Sequence, residues 1–304
     1  MLLTCTIKEK DDVSVTLSAR TKLSNHLEPN QRRLGCSFAS AIDRKVTQPG
    51  RDYSQSLRIW KIIAGLQPLF DPKIVNGENA KIGEIPYQVS LQYTEVSFHF
   101  CGGSILNNNY VITAAHCAEA IGAPSNVKVI AGTINLINPK SEHNVIKIII
   151  HEEYDSLNSW INDIALLQVE TPFIISKTVG FVPLPPKGFN VKVNDVAVVS
   201  GWGRLWQGGP TTVRLQRVNI FIADRTYCQY IYKQMNYNIY PTQICAYDSS
   251  IEKGSCHGDS GGPLTVGGKL IGLVSWANGC ASTSYPTVYT SVIEYLDWIT
   301  ANTA

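Results

Sequence analysis

Three separated segments each carry a side chain suited to nucleophilic catalysis. A histidine closes Val111-Ile112-Thr113-Ala114-Ala115-His116-Cys117, an aspartate opens Asp163-Ile164-Ala165-Leu166-Leu167 after Asn162, and a serine sits among glycines in Gly258-Asp259-Ser260-Gly261-Gly262-Pro263-Leu264. A serine hydroxyl is a weak nucleophile at neutral pH unless a base takes its proton, and a neutral imidazole is the side chain best poised to do so. Taken singly, each has a plain structural reading: a satisfied core histidine, a turn cap before an apolar strand, a tight glycine turn. The glycines around Ser260 weigh against that reading. They suit a site where backbone N–H groups approach an oxyanion and no Cβ stands in the way.

The elements that position these groups belong to an ordinary globular chain. Its 304 residues are 44% hydrophobic and 16% charged, with 23 Gly, 15 Pro and 8 Cys, which excludes a disulfide mini-protein, a collagen and a disordered chain. No apolar run reaches bilayer length; Trp60 to Leu66 is interrupted by Lys61 and Gly65, so no membrane partner is expected. Residues 1–73 hold 12 Lys and Arg against 7 Asp and Glu, a balance of +5, and residues 74–304 hold 14 against 17, a balance of −3. The second part has no basic excess to concentrate phosphates, which argues against a nucleic-acid partner.

From residue 74 onward, short runs rich in Val, Ile and Tyr alternate with Gly, Pro and Asn: Tyr87 to Gln92, Val127 to Ala131, Val145 to Ile150, Val196 to Ser200 and Leu270 to Val274. Such spacing predicts an all-β sandwich or barrel. Ser291 and Glu294 form a capping-box pattern ahead of Val292, Tyr295, Leu296 and Ile299, predicting a closing helix docked on the β core. Residues 1–73 show no lasting apolar period and read as a poorly ordered leader or pro-segment. No secretory signal is visible, since Met1 to Ile7 contains Thr4, Cys5 and Thr6 and runs into Lys8-Glu9-Lys10-Asp11-Asp12; the alternatives are another export route or an erroneous gene start.

Joined by Ile74-Val75-Asn76-Gly77, Cys101-Gly102-Gly103-Ser104, Gly201-Trp202-Gly203 and Ser275-Trp276, the three segments make residues 74–304 resemble a chymotrypsin-like serine protease of the trypsin family. The resemblance implies two six-stranded antiparallel β-barrels, about 74–180 and about 181–304, with the active site between them and a C-terminal helix. It makes His116, Asp163 and Ser260 the catalytic triad, and the N–H groups of Gly258 and Ser260 the oxyanion hole. Ser275 is then expected to hydrogen-bond Asp163, and Ser275, Trp276 and Ala277 to pair with the substrate backbone. Cleavage at Lys73-Ile74 by a trypsin-like activating protease would free the Ile74 ammonium to pair with Asp259, so the uncut chain is expected to be a zymogen.

By the same resemblance, Gly254 forms the floor of the primary specificity pocket, with Ala277 and Thr287 as walls. An uncharged floor disfavours Lys or Arg, and the filled walls favour medium or small apolar residues, elastase-like, over Phe and Tyr. His257 is expected on the pocket rim, facing solvent. The implied disulfides are Cys101 to Cys117, Cys228 to Cys245 and Cys256 to Cys280. They place the enzyme outside the cell, while Cys5 and Cys36 are expected to be incidental. After Thr133 the paired acidic residues of the family's calcium loop are missing, so no metal is expected, and no cofactor. Protein and peptide substrates and protein protease inhibitors are the expected partners of a monomer. Two other classes compete: a catalytically silent protease homologue acting as a binding protein, disfavoured by the intact triad, and an independent binding module in residues 1–73, disfavoured by composition. The uncharged pocket and simple pro-segment favour a digestive role.

Overall fold

A computed structural model describes residues 2–8, 14–20 and 74–303. Leu2–Lys8 (β1) and Ser14–Arg20 (β2) pair antiparallel, Leu2 opposite Arg20 and Lys8 opposite Ser14. These residues fall in the segment expected to be a poorly ordered leader or pro-segment. Thr4, Thr6, Val15 and Thr16 supply β-forming residues on either side of the charged stretch Glu9 to Asp12. This hairpin lies in a unit separate from residues 67–304. Lys73 and Cys36 fall outside the described residues, and with them the bond expected to be cut.

The first barrel is closed by Gln88–Tyr93 (β4), Phe98–Ile105 (β5), Tyr110–Thr113 (β6), Val127–Ala131 (β7), Ser141–Ile150 (β8) and Ala165–Val169 (β9), in the order β4-β5-β6-β9-β8-β7. Its interior is filled by Val89, Leu91, Ile105, Val111, Val129 and Leu167, none more than 1% exposed. Closure leaves no free strand edge. The helix Ala115–Ile121 (α1) follows β6 directly and carries His116 on its first turn.

The second barrel uses Val196–Gly201 (β10), Gln216–Ile222 (β11), Gln243–Tyr247 (β12), Pro263–Val266 (β13), Lys269–Trp276 (β14) and Thr287–Ser291 (β15), and pairing of β10 with β11 closes it. Along β11, Val218, Ile220 and Ile222 point inward while Asn219 is exposed, the period-two alternation of a one-sided strand. Residues 74–79 sit with this barrel although they precede the first one. Glu78–Asn79 (β3) pairs with β11, and Ile74 is fully buried beside Ala197, Val199 and Leu264. Burying a side chain of that size contributes about 1.5–3 kcal/mol, which anchors the start of the domain inside.

A second helix, Arg225–Lys233 (α2), is capped by Asp224, whose carboxylate accepts from Tyr227 N–H at 2.8 Å. The C-terminal helix is present, but the capping box is not formed. Ser291 is the last residue of β15, its N–H donates to Thr242 O, and the chain enters a 3₁₀ turn over Val292–Tyr295 before α3 (Leu296–Thr303). Strand pairing claims the would-be cap. Val292, Tyr295 and Ile299 nevertheless dock as the apolar stripe requires. The three disulfides, Cys101–Cys117, Cys228–Cys245 and Cys256–Cys280, join the expected pairs. Among the described residues, no helix is long and apolar enough to cross a membrane.

Candidate active site

Asp163 is fully buried where the two barrels meet. One carboxylate oxygen accepts from the His116 backbone N–H at 2.9 Å, and the other accepts from His116 Nδ1 at 2.8 Å and from Ser275 Oγ at 2.5 Å. The Asp163 carbonyl accepts from Thr290 Oγ1, and the neighbouring Asn162 amide is held by Tyr295 Oη and Glu153 O. Side chains of the second barrel thus orient a carboxylate carried by the first. Burial opposes protonation of His116, but the Asp163 charge, its hydrogen bond and Glu119 outweigh it, so the pKa stands above the ordinary histidine value. With Nδ1–H donating to Asp163, Nε2 is the nitrogen left to act as base.

Ser260 lies in the turn before β13, and its carbonyl accepts from Gly102 N–H of the first barrel at 2.7 Å. Its Oγ is not hydrogen-bonded to His116 Nε2, which rests 3.6 Å from Cys117 Sγ; catalytic hydrogen bonds often tighten only around substrate. Gly258 has φ +94°, a conformation that favours glycine, and its carbonyl is turned to His99 Nε2 at 2.9 Å. Among the described residues, neither the Gly258 nor the Ser260 N–H has a protein acceptor. Two free donors at a serine are the raw material of an oxyanion hole.

Asp259, between them, is fully buried. Desolvation pushes its pKa up to about 7 against hydrogen bonds from Cys256 N–H (2.9 Å) and Gly203 N–H (2.8 Å). Among the described residues, no cation pairs with it. A Cβ on Gly203 would stand 2.5 Å from Asp259 Cγ, which explains the glycine of Gly201-Trp202-Gly203.

Gly254, Ser255 and Thr287 are buried at the expected pocket, Ala277 is exposed at its lip, and a Cβ on Gly254 would meet Ala281. Gly254 N–H donates to Val75 O and Asn76 Nδ2 to Glu252 O, so the pocket floor leans on the segment that follows Lys73. His257 is exposed. Among the described residues, the one close cluster of metal-ligand types is Cys101, His116 and Cys117, and its two thiols are spent in a disulfide.

The family model described as Trypsin matches residues 74–299. The chain belongs to the trypsin family. Trypsin-1 of Astacus astacus is 40% identical over 242 residues, 75% of this chain and 99% of its own length. Hypodermin-B of Hypoderma lineatum is 40% identical over 78% of this chain and 90% of its own, and Chymotrypsin-2 of Vespa crabro is 38% identical over 75% and 99%. The protein is accordingly a serine endopeptidase of this family.

Two features of this trypsin-family site were not anticipated from sequence. His99 is buried, its pKa lowered to about 4 by desolvation against its bond to Gly258 O, and its Nδ1 meets Ser90 Oγ at 2.8 Å. The neutral ring therefore presents Nε2–H to the Gly258 carbonyl and accepts from Ser90. The signal was a histidine between Phe98 and Phe100 in a strand-like run. The second feature is a wall of rings in which Trp276 stacks on Trp160 at 5.7 Å and meets Tyr237 at 5.3 Å and Tyr232 at 4.7 Å. These residues come from three segments far apart in sequence, around Trp160, Tyr232 to Tyr237 and Trp276, and only the fold collects them.

Proposed function

We propose that Ser260, His116 and Asp163 form the catalytic triad of a secreted, monomeric zymogen that, once cut at Lys73-Ile74 by a trypsin-like activator, cleaves peptide bonds after small or medium apolar residues. Ser260 Oγ attacks the scissile carbonyl carbon while its proton passes to His116 Nε2. The oxyanion accepts hydrogen bonds from Gly258 and Ser260 N–H; His116 then protonates the leaving amine, and water hydrolyses the acyl-enzyme by the same steps. Asp163 keeps the proton on Nδ1 and balances the imidazolium, and Ser275 to Ala277 pair with the substrate strand. The Ile74 ammonium would neutralise Asp259, whose buried carboxylate lacks a cation among the described residues.

The observation that carries the specificity is the pocket floor, where Gly254 offers no charge and Thr287 is buried beside it. Several relatives bear the name trypsin, but a basic side chain placed on this floor would go unpaired. The three disulfides support an extracellular site of action, and a digestive role with protein inhibitors as regulators fits the simple domain plan. The test is trypsin treatment of the purified chain followed by turnover of peptides with Ala, Leu, Phe or Arg before the scissile bond. Activity on Ala and Leu above Phe, with Arg poorest, is expected; Arg preferred would overturn the pocket reading. No turnover of any of them would revive the silent-homologue alternative.

A further inference from the structure

Asparagine followed by glycine is the peptide pair most prone to lose ammonia in water, because the glycine nitrogen reaches the asparagine side-chain carbon with no Cβ to hinder it. The chain holds two such pairs, Asn76-Gly77 and Asn278-Gly279, and the fold treats them oppositely. In the first, both reacting groups are engaged: Asn76 Nδ2 donates to Glu252 O at 2.6 Å, and Gly77 N–H donates to Ile74 O at 2.5 Å. In the second, neither is. Among the described residues, the Asn278 side-chain amide has no hydrogen-bond partner, the Gly279 N–H has no acceptor, and Gly279 is exposed to water. We propose that Asn278-Gly279 is a deamidation site, and that its conversion gives the enzyme a limited working life.

The Gly279 nitrogen attacks Asn278 Cγ, a C–N bond forms, and the side-chain nitrogen leaves as ammonia with the proton that Gly279 gives up. Water then opens the succinimide ring. Addition at Cγ yields aspartate; addition at the Asn278 backbone carbonyl yields isoaspartate, in which the chain runs through Cβ and Cγ and is one carbon longer. Either way one ammonia has left, water has entered, and a neutral amide has become a carboxylate. The lability is built into the fold, since Gly279 has φ +79° and a Cβ there would stand 3.0 Å from Gln207 Oε1, so glycine is what fits after Asn278. The segment is also pinned on both sides, by Asn278 N–H donating to Tyr232 Oη at 3.3 Å and by the Cys256–Cys280 disulfide. An extra backbone carbon between these pins has no slack to enter. It displaces Ala277 on one side or Cys256 on the other, and Cys256 N–H is one of the two donors that hold Asp259 beside Ser260. That consequence rests on the reading of Ser275 to Ala277 as the substrate edge and of Ser260 as the nucleophile; the chemistry at Asn278 does not.

The test ages the purified uncut chain at pH 8 and 37 °C and maps its peptides by mass spectrometry, with isoaspartate counted by enzymatic methylation. A urea-unfolded sample of the same chain supplies the rate of each pair when nothing restrains it. Asn278 should convert within a few-fold of its unfolded rate, and Asn76 about tenfold more slowly or less, since two hydrogen bonds must break before Asn76 can react. Aged samples, then cut at Lys73, should lose kcat/KM on a Leu peptide in proportion to the isoaspartate counted. Asn278→Gln, whose longer side chain closes a ring far more slowly, should keep its own starting kcat/KM over the same time. Conversion of Asn76 as fast as Asn278, or an Asn278 that stays amidated while the unfolded sample converts, would overturn the site. Isoaspartate at Asn278 with undiminished kcat/KM would overturn the limit on working life. Fresh protein that cleaves no apolar peptide would instead count against the proposed function, and the mass measurement would still decide the site.

Discussion

The two barrels solve the same positioning problem in different ways. The first holds His116 and Asp163 with side chains: Nδ1–H on one carboxylate oxygen, the His116 N–H on the other, and Ser275, Thr290 and Tyr295 reaching across. The second holds its reactive parts with backbone. Gly258 is placed by φ +94°, Asp259 by two N–H donors, and the pocket floor by Val75 O. Side-chain bonds form once the barrels fold. The pocket floor of the second barrel also rests on the segment that begins at Ile74, through Gly254 N–H to Val75 O and Asn76 Nδ2 to Glu252 O. If the chain is the zymogen proposed above, cleavage would act on the second barrel, whose pocket floor already contacts the segment that begins at Ile74.

The largest effect should come from breaking the side-chain half of this comparison. Asp163→Asn, which keeps the shape but loses the charge and favours the wrong imidazole tautomer, is expected to lower kcat by about 10⁴-fold, the loss typical of this family. Its stability should change far less, as thermal unfolding will show. The same variant sharpens the electrostatic account. Because Asp163 raises the His116 pKa against burial, kcat/KM of the wild type should fall about tenfold per pH unit below a midpoint above 6.5; the residual activity of Asp163→Asn should have its midpoint below 6.5, where desolvation alone would place it. A midpoint unmoved by the substitution would show that Asp163 does not set the base.

Next comes the backbone half. Gly203→Ala would drive a methyl group into the Asp259 carboxylate and displace the loop carrying Gly258 N–H, and a 100- to 1000-fold loss of kcat is expected. Val129→Ala, in the core of the first barrel, is the control: it should cost about 1–3 kcal/mol of stability while kcat stays within a few-fold. Similar kcat for the two variants would erase the distinction between the barrels.

That distinction also explains what the sequence disclosed. The disulfide pairs and the terminal helix were legible because each rests on a local motif, a cysteine at a fixed place in the family pattern and an apolar stripe at helical spacing; the segments proposed to carry catalysis were legible as a histidine after an apolar strand and a serine among glycines. The place of residues 74–79 was not, since Glu78–Asn79 reads as a strand of whichever barrel follows it and only pairing with Gln216 and Arg217 assigns it to the second. The Ser291 and Glu294 capping box failed because a strand ladder outcompeted a local cap. The role of His99 and the wall of Trp160, Tyr237 and Trp276 were invisible because each is assembled from segments that only closure of the barrels brings together.

The pH dependence of stability tests the proposed pairing of the Ile74 ammonium with Asp259 most directly. His99 has a folded pKa of about 4 against an ordinary 6.5, so between pH 6.5 and 4 unfolding takes up a proton; the stability it contributes is present above 6.5 and lost as pH falls through 4, about 3 kcal/mol in all. Asp259 in the uncut chain has the opposite sign. Its folded pKa of about 7 against an ordinary 3.8 means that unfolding releases a proton in the same window, and stability rises as pH falls. The two contributions offset each other, so denaturant unfolding of the uncut chain should depend weakly on pH between 6.5 and 4. Cleavage at Lys73 would give Asp259 a cation and keep it ionised, leaving the His99 dependence exposed: the cut enzyme should lose stability on acidification where the uncut chain does not. His99→Gln, which can still donate to the Gly258 carbonyl, should flatten the cut enzyme's profile. Parallel profiles for the cut and uncut chains would show that the Ile74 ammonium never reaches Asp259.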